Sequence, residues 1–389
     1  MSFLVYLNYV YNQKINIMVQ CVLTFLAYII LKYRYKSESK SLVLSKSTRD
    51  RLIKAYKPKD IVEKTEEPYK FKQVKHNFSS FDVFNLSTKF KSDLKNTIKE
   101  YGVGSCGPRG FYGTLDLHLE LEKKLASVFN KEAAIVYPNY FNCVQSVIAC
   151  LCKQRNNLFI QKNCNEAISH VVPMTKATII LFDDLDDLKS KLSIDIRDKY
   201  VVVEALGKNT GKIFDLKALV EMKDEFKFRI ILDEGYSLPF LYQEPLDKDI
   251  YSKIDVVVGS LSLGYPSNGG FSAGPKNVIE FQRLAGNSYV FSASLPAFLT
   301  KAAILMVGTK LDYAKVREKI SKAFGSIKGI VSDKASPMVL VECDDIEKRI
   351  RILRDEGYVV GRHGDYLRLC INEETDEKDI QNVGMLLKK

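Results

Sequence analysis

Histidine and paired cysteine are scarce in this sequence, and their scarcity removes zinc chemistry first. The 389 residues hold four histidines, His76, His118, His170 and His363, none close to another. The eight cysteines, at 21, 106, 143, 150, 152, 164, 343 and 370, include no CxxC spacing. A zinc site needs clustered thiolate and imidazole, so none is expected. Cys150 and Cys152 fall in an apolar run and read as small buried thiols, in a chain whose cysteines stay reduced and face the cytosol. The chain also lacks a focused basic patch. Its formal charge is +11, but the lysines are dispersed and densest between Lys32 and Lys75, beside an apolar segment. That placement suits a membrane surface and gives no reason to expect nucleic acid. With 46% hydrophobic residues the chain is not disordered by default, and it is long enough for a large core or two domains.

Charge is missing altogether from Ile15 to Leu31, INIMVQCVLTFLAYIIL. As a helix this run spans roughly 25 Å, close to a membrane core. Tyr6, Tyr9 and Tyr11 precede it, Tyr33 and Tyr35 follow it, and these place aromatic residues at two interfaces. Lys32, Arg34 and Lys36 come directly after, so the positive-inside rule puts the bulk of the chain in the cytosol and residues 1–14 in the lumen. No small-x-small cleavage site follows Leu31, which favours a retained anchor at 15–31 over a signal peptide. Residues 32–76 read as a basic linker or arm, with DRLIKAY around Leu52 forming a short amphipathic helix.

Residues 77–296 read as a large α/β domain. AAIVY at 133, KYVVVEAL at 199, RIILDE at 229 and DVVVGS at 255 are continuous β-branched runs separated by helical stretches, the pattern of buried parallel strands. Residues 297–389 read as a smaller α+β layer, with strands in ASPMVLVECDD and DYLRLCINEE and helices over 345–356 and 376–387.

Two glycine-rich stretches carry the chemistry. GVGSCGPRGFYGT, ending at Thr114, feeds a helix that starts near Leu115 and sets Leu117, Leu121, Leu125 and Val128 on one face. A loop entering a helix amino terminus is an anion-site candidate. The second, GSLSLGYPSNGG from Gly259 to Gly270, alone reads as a turn between strands.

Together these stretches resemble the α-oxoamine synthases, and CGPRGFYGT with the following H…LE closely resembles their first, long-chain-base subunit of serine palmitoyltransferase. The resemblance continues through the segment from Val203 and through FQRLAGNSYVFSASLP from Phe281 to Pro296. It implies a fold-type I pyridoxal phosphate-dependent, aminotransferase-like transferase. In catalytic members the second stretch reads GTFTKSFGAAGG, and its lysine stands opposite Leu263. Leucine has no amine to form a Schiff base with the cofactor. Asp233 matches the carboxylate that holds the pyridinium nitrogen. Those members read DEAHS where this chain has DEGYS, so their histidine is Tyr236, and the stacking histidine of their NHAS motif is Glu166.

The resemblance therefore implies an obligate non-catalytic subunit, with pyridoxal 5'-phosphate bound covalently by a lysine-bearing catalytic partner and Asp233 left as a vestigial contact. Ser292 and Ser294 of FSASLP then reach the partner's cofactor phosphate in trans. Cys106 and Gly107 shape the interface and substrate specificity. Burial as a small apolar side chain suits Cys106 better than reactivity. Arg109 suits a phosphate, a carboxylate or an acidic side chain of the partner. Arg368 matches an arginine that catalytic members turn on the substrate carboxylate, or else bridges structural acids. The expected product is 3-ketosphinganine from serine and palmitoyl-CoA at the endoplasmic reticulum membrane, with membrane lipid and small regulatory membrane subunits as further partners. Two other readings are an autonomous enzyme using Lys276 or Lys208 and a regulatory membrane scaffold.

Overall fold

The computed structural model describes residues 18–29, 45–55, 74–193, 197–240, 247–307 and 309–388, in two units, Met1–Tyr69 and Lys70–Lys389. In the first unit residues 18–29 are helical and expose Met18, Val22, Leu23, Phe25 and Leu26. Helix α1, Lys46–Ala55, buries nothing. Among the described residues no helix is long and apolar enough to cross a membrane. Residues 1–17, 30–44 and 56–73, which hold the ends of the expected 15–31 span, its lumenal flank and most of the 32–76 arm, lie outside the described residues.

The second unit opens with β1, His76–Asn77, then α2, Lys91–Tyr101, and α3, Asp116–Val128. Its main sheet is built from β2 (Ala133–Tyr137), β3 (Asn156–Gln161), β4 (Thr178–Phe182), β5 (Asp198–Glu204), β6 (Phe228–Glu234), β7 (Val256–Ser260) and β8 (Gly270–Gly274). The strand order is β2-β8-β7-β6-β5-β3-β4, with β8 antiparallel to both neighbours and the other pairs parallel. The β-branched runs produce this because both faces of the central strands are covered. Val201 and Val203 join one apolar cluster and Val202 the other; Ile230 and Leu232 alternate with Ile231 in the same way. Such strands have no polar face to give water. Helix α4, Tyr140–Leu151, lies on one face through Cys143, Val144 and Val147; α3 covers the other through Leu121 and Leu125.

A four-residue helix α5, Glu166–Ser169, follows β3, and the crossovers carry α6 (Leu185–Leu192), α7 (Leu216–Phe226) and α8 (Lys248–Lys253). After β8 come α9 (Lys276–Ala285), α10 (Asn287–Val290) and α11 (Ala297–Val307). Helix α11 packs on α2 and α3. The carboxy-terminal layer adds α12 (Tyr313–Ser326), β9 (Met338–Glu342), α13 (Ile346–Asp355), β10 (Tyr358–Val359), β11 (Gly361–His363), β12 (Tyr366–Cys370) and α14 (Glu377–Leu386). Its sheet runs β11-β12-β9. The segment before α2 belongs to this layer: His76 pairs with Tyr358 and Asn77 with Val359, and the Cys370 amide donates to the Phe78 carbonyl at 2.7 Å.

Candidate functional site

Parallel register brings Glu204 beside Asp233 at the carboxyl ends of β5 and β6, the edge of an α/β sheet where ligands bind. Both carboxylates are buried. Asn165 joins them: its Nδ2 donates to Asp233 Oδ2 and to Glu204 Oε1, both at 2.9 Å, and its backbone amide donates to Glu204 Oε2 at 3.0 Å. Its Oδ1 in turn caps α5 by accepting from the Ala167 and Ile168 amides. Asp233 is completed by the Tyr140 hydroxyl, which donates to Oδ2 at 2.6 Å, and by the Gly235 amide, which donates to Oδ1 at 2.8 Å. Burial raises Asp233 to about 6 despite these donors. Glu204 rises to about 8, first through burial and then through the charge of Asp233.

The raised carboxyls have a measurable consequence. Between about 4 and about 8 the folded chain binds more protons than the unfolded one, so this pair's contribution falls as pH rises across that window, by up to about 1.4 kcal/mol per pH unit and group. Glu204→Gln removes one of the two titrations. Its melting temperature relative to wild type should rise between pH 5 and pH 8; a constant difference across that range would show that Glu204 does not carry the proton.

Leu263, half-buried after β7, packs into the same apolar cluster as Tyr140 and Tyr236. Its amide and that of Ser262 donate to Ser260 Oγ at 3.0 Å. A pyridoxal phosphate bound here would meet no amine at position 263. Asp233, the carboxylate that would hold such a cofactor's nitrogen, already accepts two protein hydrogen bonds on Oδ2 and one on Oδ1. The residues present do not fit the cofactor. Neither alternative lysine repairs this. Lys208 is ion-paired to Glu166. Lys276 follows the end of β8 remote from the Ser260–Gly270 pair, and hence from Leu263.

On the small sheet, Arg368 lies opposite Gly361 in register, and Tyr366 opposite His363. Arg368 Nη2 donates to the Ser79 carbonyl at 3.1 Å, while its Nε is buried without a partner. Among the described residues it bridges no acids, contrary to one of the two expectations for it. Burial pushes the Tyr236 hydroxyl up, partly offset by the Arg368 charge.

The CGPRGFYGT loop meets the FSASLP segment. Pro108 and Ala293 form an antiparallel bridge. The Ser294 amide donates to the Gly107 carbonyl at 2.9 Å, and the Ser105 and Ser294 hydroxyls lie 2.5 Å apart. Ser294 is buried; Ser292 is half-buried and among the described residues no side-chain hydrogen bond holds it. Around this junction Val103, Phe111, Tyr112 and Phe291 are 76%, 66%, 99% and 81% exposed. That is a cluster of apolar side chains with no cover among the described residues.

Two expectations for the glycine loop are corrected. Cys106 is exposed rather than buried: it stands at a left-handed position, φ 55°, of a loop in which Gly102, Val103 and Gly104 are exposed as well. Arg109 is not offered to a ligand or partner. It is 5% exposed, its Nη1 donates to Glu122 Oε1 at 2.8 Å and its Nε to Thr114 Oγ1 at 3.0 Å. Arg283 reaches Glu122 Oε2 at 3.1 Å, and both guanidiniums lie near the Tyr289 ring, at 5.5 and 5.7 Å. His118 ties the two motifs from within: Nδ1 accepts from the Leu115 amide at 2.9 Å and Nε2 stands 2.7 Å from the Leu295 carbonyl. Burial lowers its pKa, so the neutral Nε2–H tautomer serves both bonds. Glu122 and His118 were present in the sequence as the H…LE that follows CGPRGFYGT. Asn165 stands at the asparagine of the NHAS motif, a signal that could have marked it; Tyr140 carries no motif, and only an acceptor such as Asp233 opposite it gives it a role.

Against known proteins, residues 77–383 match the family described as aminotransferase class I and II. Long chain base biosynthesis protein 1 of Arabidopsis thaliana is 31% identical over 301 residues, 69% of this chain and 61% of the relative. Serine palmitoyltransferase 1 of Dictyostelium discoideum is 34% identical over 249 residues, 60% of this chain and 52% of the relative. The chain therefore spans about half to three fifths of the curated relatives it matches. The solved structure of Sphingomonas wittichii serine palmitoyltransferase superposes with a TM-score of 0.74 at 19% identity, covering 80% of this chain and 86% of that one. At that identity the likeness establishes the fold alone, the aminotransferase-like α/β architecture.

Proposed function

We propose, on the premise that this chain belongs to the aminotransferase class I and II family, that it is the non-catalytic subunit of a serine palmitoyltransferase. It would pair with a lysine-bearing subunit that binds pyridoxal 5'-phosphate and condenses L-serine with palmitoyl-CoA to 3-ketosphinganine, with loss of carbon dioxide. The observation that carries this reading is Leu263, an apolar side chain packed against the cluster that holds Tyr140, at the place where chemistry on this chain would need an amine.

The exposed face formed by Val103, Phe111, Tyr112 and Phe291 supports pairing, since burying such a surface against a second chain is favourable at roughly 25 cal/mol per Å². Cys106 and Gly107 stand in the loop that carries this face. Ser292 is the better placed of the two serines for a phosphate of the partner's cofactor, because the Ser294 hydroxyl is already engaged with Ser105. The uncharged run 15–31 would be a retained anchor in the endoplasmic reticulum membrane, with residues 1–14 lumenal and the globular part cytosolic.

The test is serine-dependent ketosphinganine formation by membranes holding this chain alone, a catalytic partner alone, and both, with pyridoxal phosphate supplied throughout. Activity confined to the pair is expected; activity of this chain alone would end the reading. Ser292→Ala is expected to raise the pyridoxal phosphate concentration for half-maximal activity of the pair by roughly tenfold, the effect of one hydrogen bond to a charged group. An unchanged value would favour a scaffold that leaves the partner's site untouched.

A further inference from the structure

We infer that Tyr140 acts as this chain's internal stopper for its own cofactor cleft, and that Gly235 is the residue that lets it do so. The inference rests on the family reading above and deepens it, because the absence of a lysine alone would leave a cleft able to hold the cofactor without a covalent bond.

The geometry gives Tyr140 three properties of a stopper. It is 7% exposed although it starts a helix at the open edge of the sheet. Its hydroxyl donates to Asp233 Oδ2 at 2.6 Å, the carboxylate that the cofactor's nitrogen would have to reach. Asn165 Nδ2 donates to the same oxygen at 2.9 Å, so both lone-pair directions of Oδ2 are taken within the protein. The third property is steric. A Cβ built on Gly235 would lie 2.2 Å from the Tyr140 hydroxyl oxygen and 2.3 Å from Cζ. Any side chain at position 235 drives the ring away from Asp233, and only glycine admits the pair. Tyr236 stands edge-on to Tyr140 at 6.4 Å, and Leu263 lies in the same apolar cluster, so the plug has an aromatic and an aliphatic wall.

Asp233 is on this view a working acceptor and not a relic. It accepts the hydrogen bond of a buried tyrosine hydroxyl that would otherwise have a donor, Asn165, but no acceptor among the described residues. Tyr140 joins helix α4 to the end of β6, and Asn165 extends the link to α5 and β5. The chain thus holds the edge of its sheet in place without a cofactor.

The test restores the amine and asks whether the stopper matters. The full chain is purified in detergent with Leu263→Lys, Leu263→Lys with Tyr140→Ala, and Leu263→Lys with Tyr140→Phe. Each, beside the wild-type chain, is incubated with pyridoxal phosphate, reduced with borohydride, digested and weighed as peptides, so that attachment at position 263 is separated from attachment at other lysines. Leu263→Lys alone is expected to carry little label, and both double variants at least roughly tenfold more, because each removes the hydroxyl bond to Asp233. Equal labelling of the single variant and the Tyr140→Phe double variant overturns the inference. The Phe variant keeps the ring and its packing, so its near-ultraviolet circular dichroism reports whether the fold is retained if the Ala variant does not fold. A second arm uses Gly235→Ala with Leu263→Lys, which should label like the double variants; label no greater than in Leu263→Lys alone counts against the inference. Activity of the pair is measured separately, so failure of pairing and failure of the stopper give different results.

Discussion

Glu122→Ala should lower the stability of the chain by about 3–5 kcal/mol, the range for removing one partner of a buried ion pair. Glu122 is 5% exposed on α3. Its Oε1 accepts from Arg109 Nη1 at 2.8 Å and from the Val136 amide at 2.9 Å, and its Oε2 from Arg283 Nη2 at 3.1 Å. Alanine removes a counter-charge from both guanidiniums, leaving Arg109 only Thr114, and Arg283 only Glu280, Tyr289 and the Ala134 carbonyl, among the described residues; it also strips the Val136 amide of its acceptor, and Arg109 Nη2 already has none. In a folded unit of this size the loss corresponds to a drop in melting temperature on the order of 5 °C. Arg109→Met should cost less, since it removes a charge from the interior instead of stranding one. Thermal melts of wild type and the two variants decide the matter. A shift under about 1 °C for Glu122→Ala would mean that water or rearrangement compensates the charges.

Gly113→Ala should reduce the activity of the pair by about tenfold or more while leaving the main sheet intact, for overpacking a tight site costs about 1–3 kcal/mol. A Cβ at position 113 would lie 2.0 Å from the Gly107 carbonyl oxygen and 2.5 Å from that of Pro108. These are backbone atoms that cannot swing aside. Both carbonyls are in use: Gly107 accepts from the Ser294 amide at 2.9 Å, and Pro108 from the Phe111 and Gly113 amides at 2.9 and 3.0 Å. Relief of the clash therefore opens the loop, displaces Cys106, Phe111 and Tyr112, and detaches the segment that holds Ser292. Ketosphinganine formation by the reconstituted pair, beside far-ultraviolet circular dichroism of this chain, separates the outcomes. Wild-type activity would show that the loop's shape is unimportant to the partner.

The main sheet was largely legible because its strands are continuous β-branched runs. AAIVY, KYVVVEAL, RIILDE and DVVVGS lie in β2, β5, β6 and β7, where burial on both faces allows no polar alternation. The helix after the glycine loop was legible from its apolar spacing and begins at Asp116. Residues whose meaning depends on distant partners were not. Tyr140 meets Asp233 across 93 positions and Ser105 meets Ser294 across 189; neither pair leaves a local pattern. Arg109 looked like a ligand for an outside anion because a glycine loop usually presents its arginine, and the acceptor that claims it sits on the next helix. Cys106, small and apolar enough to bury, stands exposed at a left-handed position of its loop, which residue type alone does not specify. The pairing of β1 with β10 was invisible since a two-residue strand has no period.

That pairing governs the order in which this protein can be finished as it leaves the ribosome. His76 Nε2 meets Thr375 Oγ1 across 299 positions, so the segment that opens the globular unit stays unclaimed until nearly all of that unit has been synthesised. The large sheet, from β2 to β8, closes on itself earlier and can form first. Phe78, Phe84 and Leu86, all at most 1% exposed in the finished fold, have no carboxy-terminal layer to enter in the meantime. This places the chain's greatest exposure to aggregation and to chaperone capture late in translation, and at its front end.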